Sequence, residues 1–142
     1  MATVELRFSA LPAHVRTARL VAAAVARRSG VDEAVLDEVR LAVGEACSRA
    51  VHLHRRHCPQ RPVLVVLVDE DGAFEVSVAD EAPAGDADMT SLVELAVSSD
   101  LDQDPVPPGV GLAVISGLVD DVAVEAGPEG GMIVRMSWPL SA

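Results

Sequence analysis

The stretch Leu36–His54, LDEVRLAVGEACSRAVHLH, decides how this chain is read. Leu36, Val39, Val43, Ala46, Cys47, Ala50 and Leu53 recur at three- and four-residue steps, the spacing of one face of an amphipathic helix. That face is the core stripe. Glu45, Arg49 and His52 follow one another at i, i+4 and i+7 and form a second row on the same helix, with Glu38 nearer its start. On a solvated face, a Glu-to-Arg pair one turn apart stabilises a helix by only a few tenths of a kcal/mol. Turned inward, the same row is the wall of a site.

Upstream, VELRF (Val4–Phe8) alternates apolar and polar residues, the pattern of a half-buried strand. Pro12 suits a helix start, and Val15, Ala18, Val21, Ala22 and Val25 keep a helical period over His14–Arg28 until Gly30 closes it. Asp32 is placed to cap the central helix, with Glu33 favourable at its N-terminal dipole. Downstream, Pro59 and Pro62 end that helix. VLVVLV (63–68) reads as a strand buried on both faces, Asp69-Glu70-Asp71-Gly72 as a hairpin turn, and AFEVSVA (73–79) as the returning strand, followed by Asp80.

From Glu81 to Pro108 runs a connection rich in Ala, Asp, Ser and Pro, with one short helical candidate at Ser91–Val97. A connection this long in a compact domain serves as a lid or binding loop or is a mobile segment. GVGLAVISGL (109–118) reads as a helix entered through glycines, 119–125 as a strand, 127–131 as a turn, and MIVRMSW (132–138) as a closing strand. The order β–α–α–β–β–lid–α–β–β predicts an α+β, two-layer α/β sandwich. Its helices lie on one face of a mixed, mainly antiparallel sheet, in a single domain over residues 1–142.

Half of the 142 residues are hydrophobic but only Phe8, Phe74 and Trp138 are aromatic, so the core is aliphatic. No apolar run is long enough to span a membrane, and the start of the chain has strand-like alternation rather than a signal-peptide pattern. Cys47 and Cys58, eleven residues apart on one helix, would be separated by about 16 Å, too far for a disulfide. That suits a reduced, cytoplasmic protein.

Charge is divided unevenly. Residues 1–61 carry ten Arg against six Asp/Glu; residues 62–142 carry Arg135 alone against sixteen Asp/Glu. An acidic half repels DNA and anionic membrane and suits a partner with a basic surface. His52, His54, His57 and Cys58 crowd the helix end, but His52 and His54 point apart and no second paired motif exists, so no metal site is expected.

Three short motifs stand in a fixed order: LAVGEACSRAV, VSVADEAPAG and PGVGLAVISGLVDDVAVE, closed by MIVRMSWP. Over nearly the whole chain this resembles the ATP-binding anti-sigma factors of the general-stress and sporulation type. Those are serine/threonine kinases with the Bergerat-type (GHKL) fold of histidine kinases. The resemblance implies a bacterial transcription regulator that holds a sigma factor inactive and phosphorylates a STAS-domain anti-anti-sigma partner. It also implies a homodimer in which the N-terminal strand and first helix take part.

Residue by residue, Glu45 matches the acidic residue that orients or activates the attacking hydroxyl. Asp80 matches the carboxylate that accepts the adenine amino group. Gly109, Gly111 and Leu112 match the loop whose backbone approaches the phosphates of ATP or ADP. Two departures follow. Arg49 stands where the family holds Mg²⁺ with Asn, and a guanidinium has no acceptor to offer a metal. Ala82 and Ala84 stand where the family has glycines, adding methyl groups against the base.

Arg49 is free to fold onto Glu45 or to contact phosphate in place of the ion. Glu81, Asp86, Asp88, Glu94, Asp100, Asp102 and Asp104 make the lid wholly acidic. The expectation is an anti-sigma factor with lost or weakened kinase activity. The alternatives are a working kinase and a small-molecule sensor using the old pocket.

Overall fold

The computed structural model describes residues 2–82, 119, 121–127 and 130–140. The lid beyond Ala82, the helical candidate at 91–97, Ala84 and the glycine-led helix with Gly109, Gly111 and Leu112 fall outside those residues.

Strand β1 (Ala2–Phe8) leads into helix α1 (Pro12–Ser29), which starts on a proline at its first turn, where no N–H partner is needed. It ends in a Schellman motif. Gly30 takes a left-handed φ of 106°, its N–H bonds the Arg27 carbonyl, and the Val31 N–H reaches back to Ala26. Asp32 does cap, but it caps a separate 3-10 turn over Glu33–Val35, accepting from the Ala34 N–H at 2.9 Å. Helix α2 (Leu36–His57) follows directly and stops, as expected, before Pro59 and Pro62.

All seven residues of the expected stripe on α2 are buried, joined by Ala42, Val51 and His54. This width has a cause. The helix packs against α1 and also against the sheet, so more than one face loses contact with water. Gly44 lets α1 come close: a Cβ there would sit 2.8 Å from the Arg19 side chain.

The remaining strands are β2 (Val63–Glu70), β3 (Ala73–Ala79), β4 (Asp121–Ala126) and β5 (Met132–Pro139), ordered β1-β2-β3-β5-β4. Every described pairing is antiparallel, so the α+β sandwich stands while its sheet, among the described residues, holds no parallel pair. The β2–β3 turn is tighter than expected. Glu70 pairs with Ala73, leaving Asp71 and Gly72 as a two-residue loop with φ of 54° and 75°. Asp-Gly with positive φ at both positions matches the right-handed twist of the hairpin.

β2 is not buried on both faces. Val63, Val65 and Leu67 face the helices and are sealed, whereas Leu64, Val66 and Val68 are half-buried on the far side. That far face is polar in its middle, where Arg135 of β5 pairs with Glu75 of β3 and Glu125 of β4. The core thus lies between one sheet face and two helices, with Phe74 and Trp138 stacked at a tilt, 6.2 Å apart.

Both cysteines are free thiols. Burial pushes the Cys47 thiol up to about 12, and burial together with the Glu81 and Asp80 carboxylates raises Cys58 despite the opposing Arg61. The reactive thiolate is therefore scarce at both. Ellman's reagent at neutral pH is expected to read no Cys47 until the protein unfolds, and Cys58 more slowly than a free thiol. Rapid native labelling of both cysteines would contradict the packing of α2.

Candidate functional site

The row Glu45–Arg49–His52 does not act as a row. His52 is exposed, Glu45 is half-buried, and Arg49 is buried to 3 % exposure. Arg49 does not fold onto Glu45. Its Nη1 donates to Asp80 Oδ2 at 2.9 Å, with the two side chains 2 % and 1 % exposed. The reason is position: Asp80 leaves the end of β3 beneath the inward face of α2, and burying either charge unpaired would cost several kcal/mol. Glu45, half-solvated, has no such need.

The other bonds around this pair come from the backbone. Asp80 Oδ1 accepts from the Ala82 N–H at 3.0 Å and the Met132 N–H at 3.4 Å. The Asp80 N–H donates to the Met132 carbonyl at 2.9 Å, carrying the β3–β5 ladder one step beyond Ala79↔Ile133. Arg49 Nη2 lies 3.1 Å from Met132 Sδ, and its buried Nε has no partner among the described residues. Gly131, at φ 75°, is what lets β5 enter here. A Cβ on it would lie 2.0 Å from the Asp80 carbonyl oxygen, closer than any atom can approach.

Next to the pair stands His54, wholly buried. Its Nε2 accepts from the Glu81 N–H at 2.9 Å, so Nδ1 carries the proton and donates to the Arg61 carbonyl at 2.9 Å. Both ring nitrogens are committed to the backbone. The histidine-rich helix end is here a brace between α2, the segment before β2 and the segment after β3. Arg61 and Glu81 add an exposed ion pair at 3.1 Å. Among the described residues no group of His, Cys, Asp and Glu is arranged to hold a metal.

Of the residues singled out by sequence, Arg49, Asp80 and Ala82 are brought together; Glu45 lies one turn of α2 away. Ala82 is fully buried. Met132 and Gly131 were not foreseen, and His54 was weighed as a metal ligand, whereas both its ring nitrogens bind backbone. The Gly130-Gly131 pair before an alternating strand was a turn signal, but nothing local said which backbone it would face.

A histidine kinase-like ATPase domain model matches residues 8–138. The chain belongs to that family. It is 30 % identical over 140 residues to the serine-protein kinase RsbW of Bacillus subtilis, covering 97 % of this chain and 86 % of that one. RsbW of Bacillus velezensis matches at 29 % with the same coverage. The fold is that of a crystal structure of RsbU and RsbW domains from Mycobacterium tuberculosis, with a TM-score of 0.68 at 19 % identity. All of this chain is covered there, against a third of that longer one. The chain is thus an RsbW homologue, of the anti-sigma factor and serine kinase family its motifs resemble.

Nucleotide binding is the chemistry that membership implies, and the motif resemblance assigns selection of the base to Asp80. The described residues do not fit a base there. One carboxylate oxygen is taken by a guanidinium and the other by two backbone N–H groups, and the side chain is sealed from solvent.

Replacing Asp80 with Ala leaves a buried, unpaired guanidinium and is expected to cost about 3–5 kcal/mol in urea unfolding. Both glycines have positive φ, so it is the clash that makes Gly131→Ala expected to cost more than Gly130→Ala, whose Cβ meets nothing within 4 Å. Equal losses for the two glycine variants would contradict the close approach of β5 to Asp80.

Proposed function

We propose that this chain is an anti-sigma factor that sequesters an alternative RNA polymerase sigma factor. A STAS-domain anti-anti-sigma protein releases it, and its ATP-dependent kinase step is lost or weakened. It acts in the cytoplasm, in stress-type or developmental transcription control, through protein contacts alone and without touching DNA or membrane. The observation carrying this reading is the buried Arg49–Asp80 pair. A carboxylate already neutralised from within leaves phosphoryl transfer without its base anchor, while capture of a protein partner needs no such anchor. The excess of carboxylates in residues 62–142 complements an Arg/Lys-rich sigma helix.

One observation favours the alternative, an active kinase. With Arg49 turned to Asp80, Glu45 forms no ion pair among the described residues, so a half-buried carboxylate stays available to activate a hydroxyl. Titration calorimetry with ATP, with and without Mg²⁺, separates the readings, together with a phosphate-transfer assay on the STAS partner. No heat and no transfer, with sigma factor still captured, is the expected outcome. Tight Mg-dependent binding with transfer would reinstate the kinase.

The reading includes a homodimer. β1 is an edge strand whose exposed Glu5 and Arg7 lie across the ladder from Val66 and Leu64 and find no charged partner there. A second copy paired antiparallel about Leu6 sets Glu5 opposite Arg7 of the partner subunit twice over, with apolar residues meeting on the inner face. Glu5→Arg is expected to shift light-scattering mass toward monomer, and adding Arg7→Glu to restore the dimer. A mass indifferent to both changes would place the contact elsewhere.

A further inference from the structure

We propose that the Arg49 guanidinium is a built-in ligand of Asp80. It supplies from inside the chain the planar N–H donor that an amino-purine would supply from outside, and so holds the segment after β3 in place without nucleotide. The inference rests on the reading of Asp80 as the family's base-selecting carboxylate.

The chemistry of the two donors is similar at the point of contact. A guanidinium NH₂ and an aminopurine NH₂ are both in-plane donors to a carboxylate oxygen. They differ in charge: the carboxylate makes either bond charge-assisted, but only the guanidinium also brings the opposite charge that neutralises Asp80 in its buried setting. They also differ in molecularity, since Arg49 is delivered by α2 and loses no translational freedom on docking. An entering base would have to break the 2.9 Å contact, leave a cation buried beside Met132, and put a neutral donor in its place. It loses on each count.

The rest of the local structure is built around the internal ligand. With Oδ2 held by Arg49, Oδ1 is free to take the Ala82 and Met132 N–H groups, and Glu81 is secured separately by His54. The consequence is a change of regulation. Asp80–Ala82 are held by the chain itself with no nucleotide, so partner capture is independent of nucleotide, and the switch lies with the partner protein.

Removing the arginine side chain should leave a guanidinium-sized space beside a buried carboxylate. Such a space takes small planar amidine-type cations, and amino-purines once the competing cation is gone. The test is thermal unfolding of wild type and Arg49→Ala with millimolar methylguanidinium, with tetramethylammonium as the ionic control, and with adenosine. Wild type is expected to respond to none of them. Arg49→Ala is expected to melt several degrees lower, to recover most of that loss with methylguanidinium, and to be stabilised by adenosine.

Stabilisation of wild type by adenosine, or an Arg49→Ala protein that melts like wild type or ignores methylguanidinium, overturns the proposal. If Arg49→Ala does not fold, its refolding yield with and without methylguanidinium gives the same reading. An apolar replacement of the pair, Arg49→Met with Asp80→Leu, is expected to fold and to respond to neither ligand; a response there overturns the assignment of Asp80 as the receiving group. Sigma capture by wild type is measured in parallel with and without ATP. Failure of rescue with capture intact removes the built-in ligand alone, whereas loss of capture removes the anti-sigma reading.

Discussion

The buried ion pair between Arg49 and Asp80 is the constraint on which the rest of this site depends. Two charges withdrawn from water survive only where geometry and further hydrogen bonds repay their desolvation. Here α2 brings the guanidinium, the end of β3 brings the carboxylate, and the start of β5 brings the Met132 N–H and thioether. Three elements distant in sequence must meet within hydrogen-bond distance. Gly131 permits it by having no Cβ where the Asp80 carbonyl lies.

Around that pair each backbone N–H from Asp80 to Ala82 has its own acceptor: the Met132 carbonyl, the His54 ring and the Asp80 carboxylate. A segment leaving a strand end is usually among the looser parts of a domain, because its ladder has stopped. This one is tied at every residue. Its order comes from fixed polar contacts in a dry setting, where each bond is strong and each missing partner costly. The unpartnered Arg49 Nε is the residual cost of the arrangement.

The chain has the scaffold of the histidine kinase-like ATPase domain, and within it the Arg49 position of α2 serves a buried contact. An Asn offers an oxygen to a metal; an Arg offers only donors and a permanent charge. At Arg49 that charge and an Nη1 donor are engaged by Asp80, so the position is structural. That contact also leaves Glu45, which helical spacing had coupled to Arg49, apart from the pair. The fold is shared because it rests on aliphatic periodicity and turn chemistry, which this substitution does not touch.

Much of that fold was legible in one dimension. The stripe from Leu36 to Leu53, the closing Gly30, the Asp71-Gly72 turn and the alternating strands are local signals, because helical period, capping and hairpin twist are set by neighbours in the chain. The motifs around Glu45, Asp80 and Gly109 identified the family for the same reason. The half-open far face of β2 was not legible: an apolar run says that a strand is buried, not how many layers cover it.

Nor was the partner of Arg49. Helical spacing offered Glu45 one turn away, and only the packing of α2 over the β3–β5 ladder showed that Asp80, thirty-one residues on, was the carboxylate that could not remain unpaired. The chain's pattern determined which elements form. The burial of two opposite charges, a property of the assembled layers, decided what those elements do together.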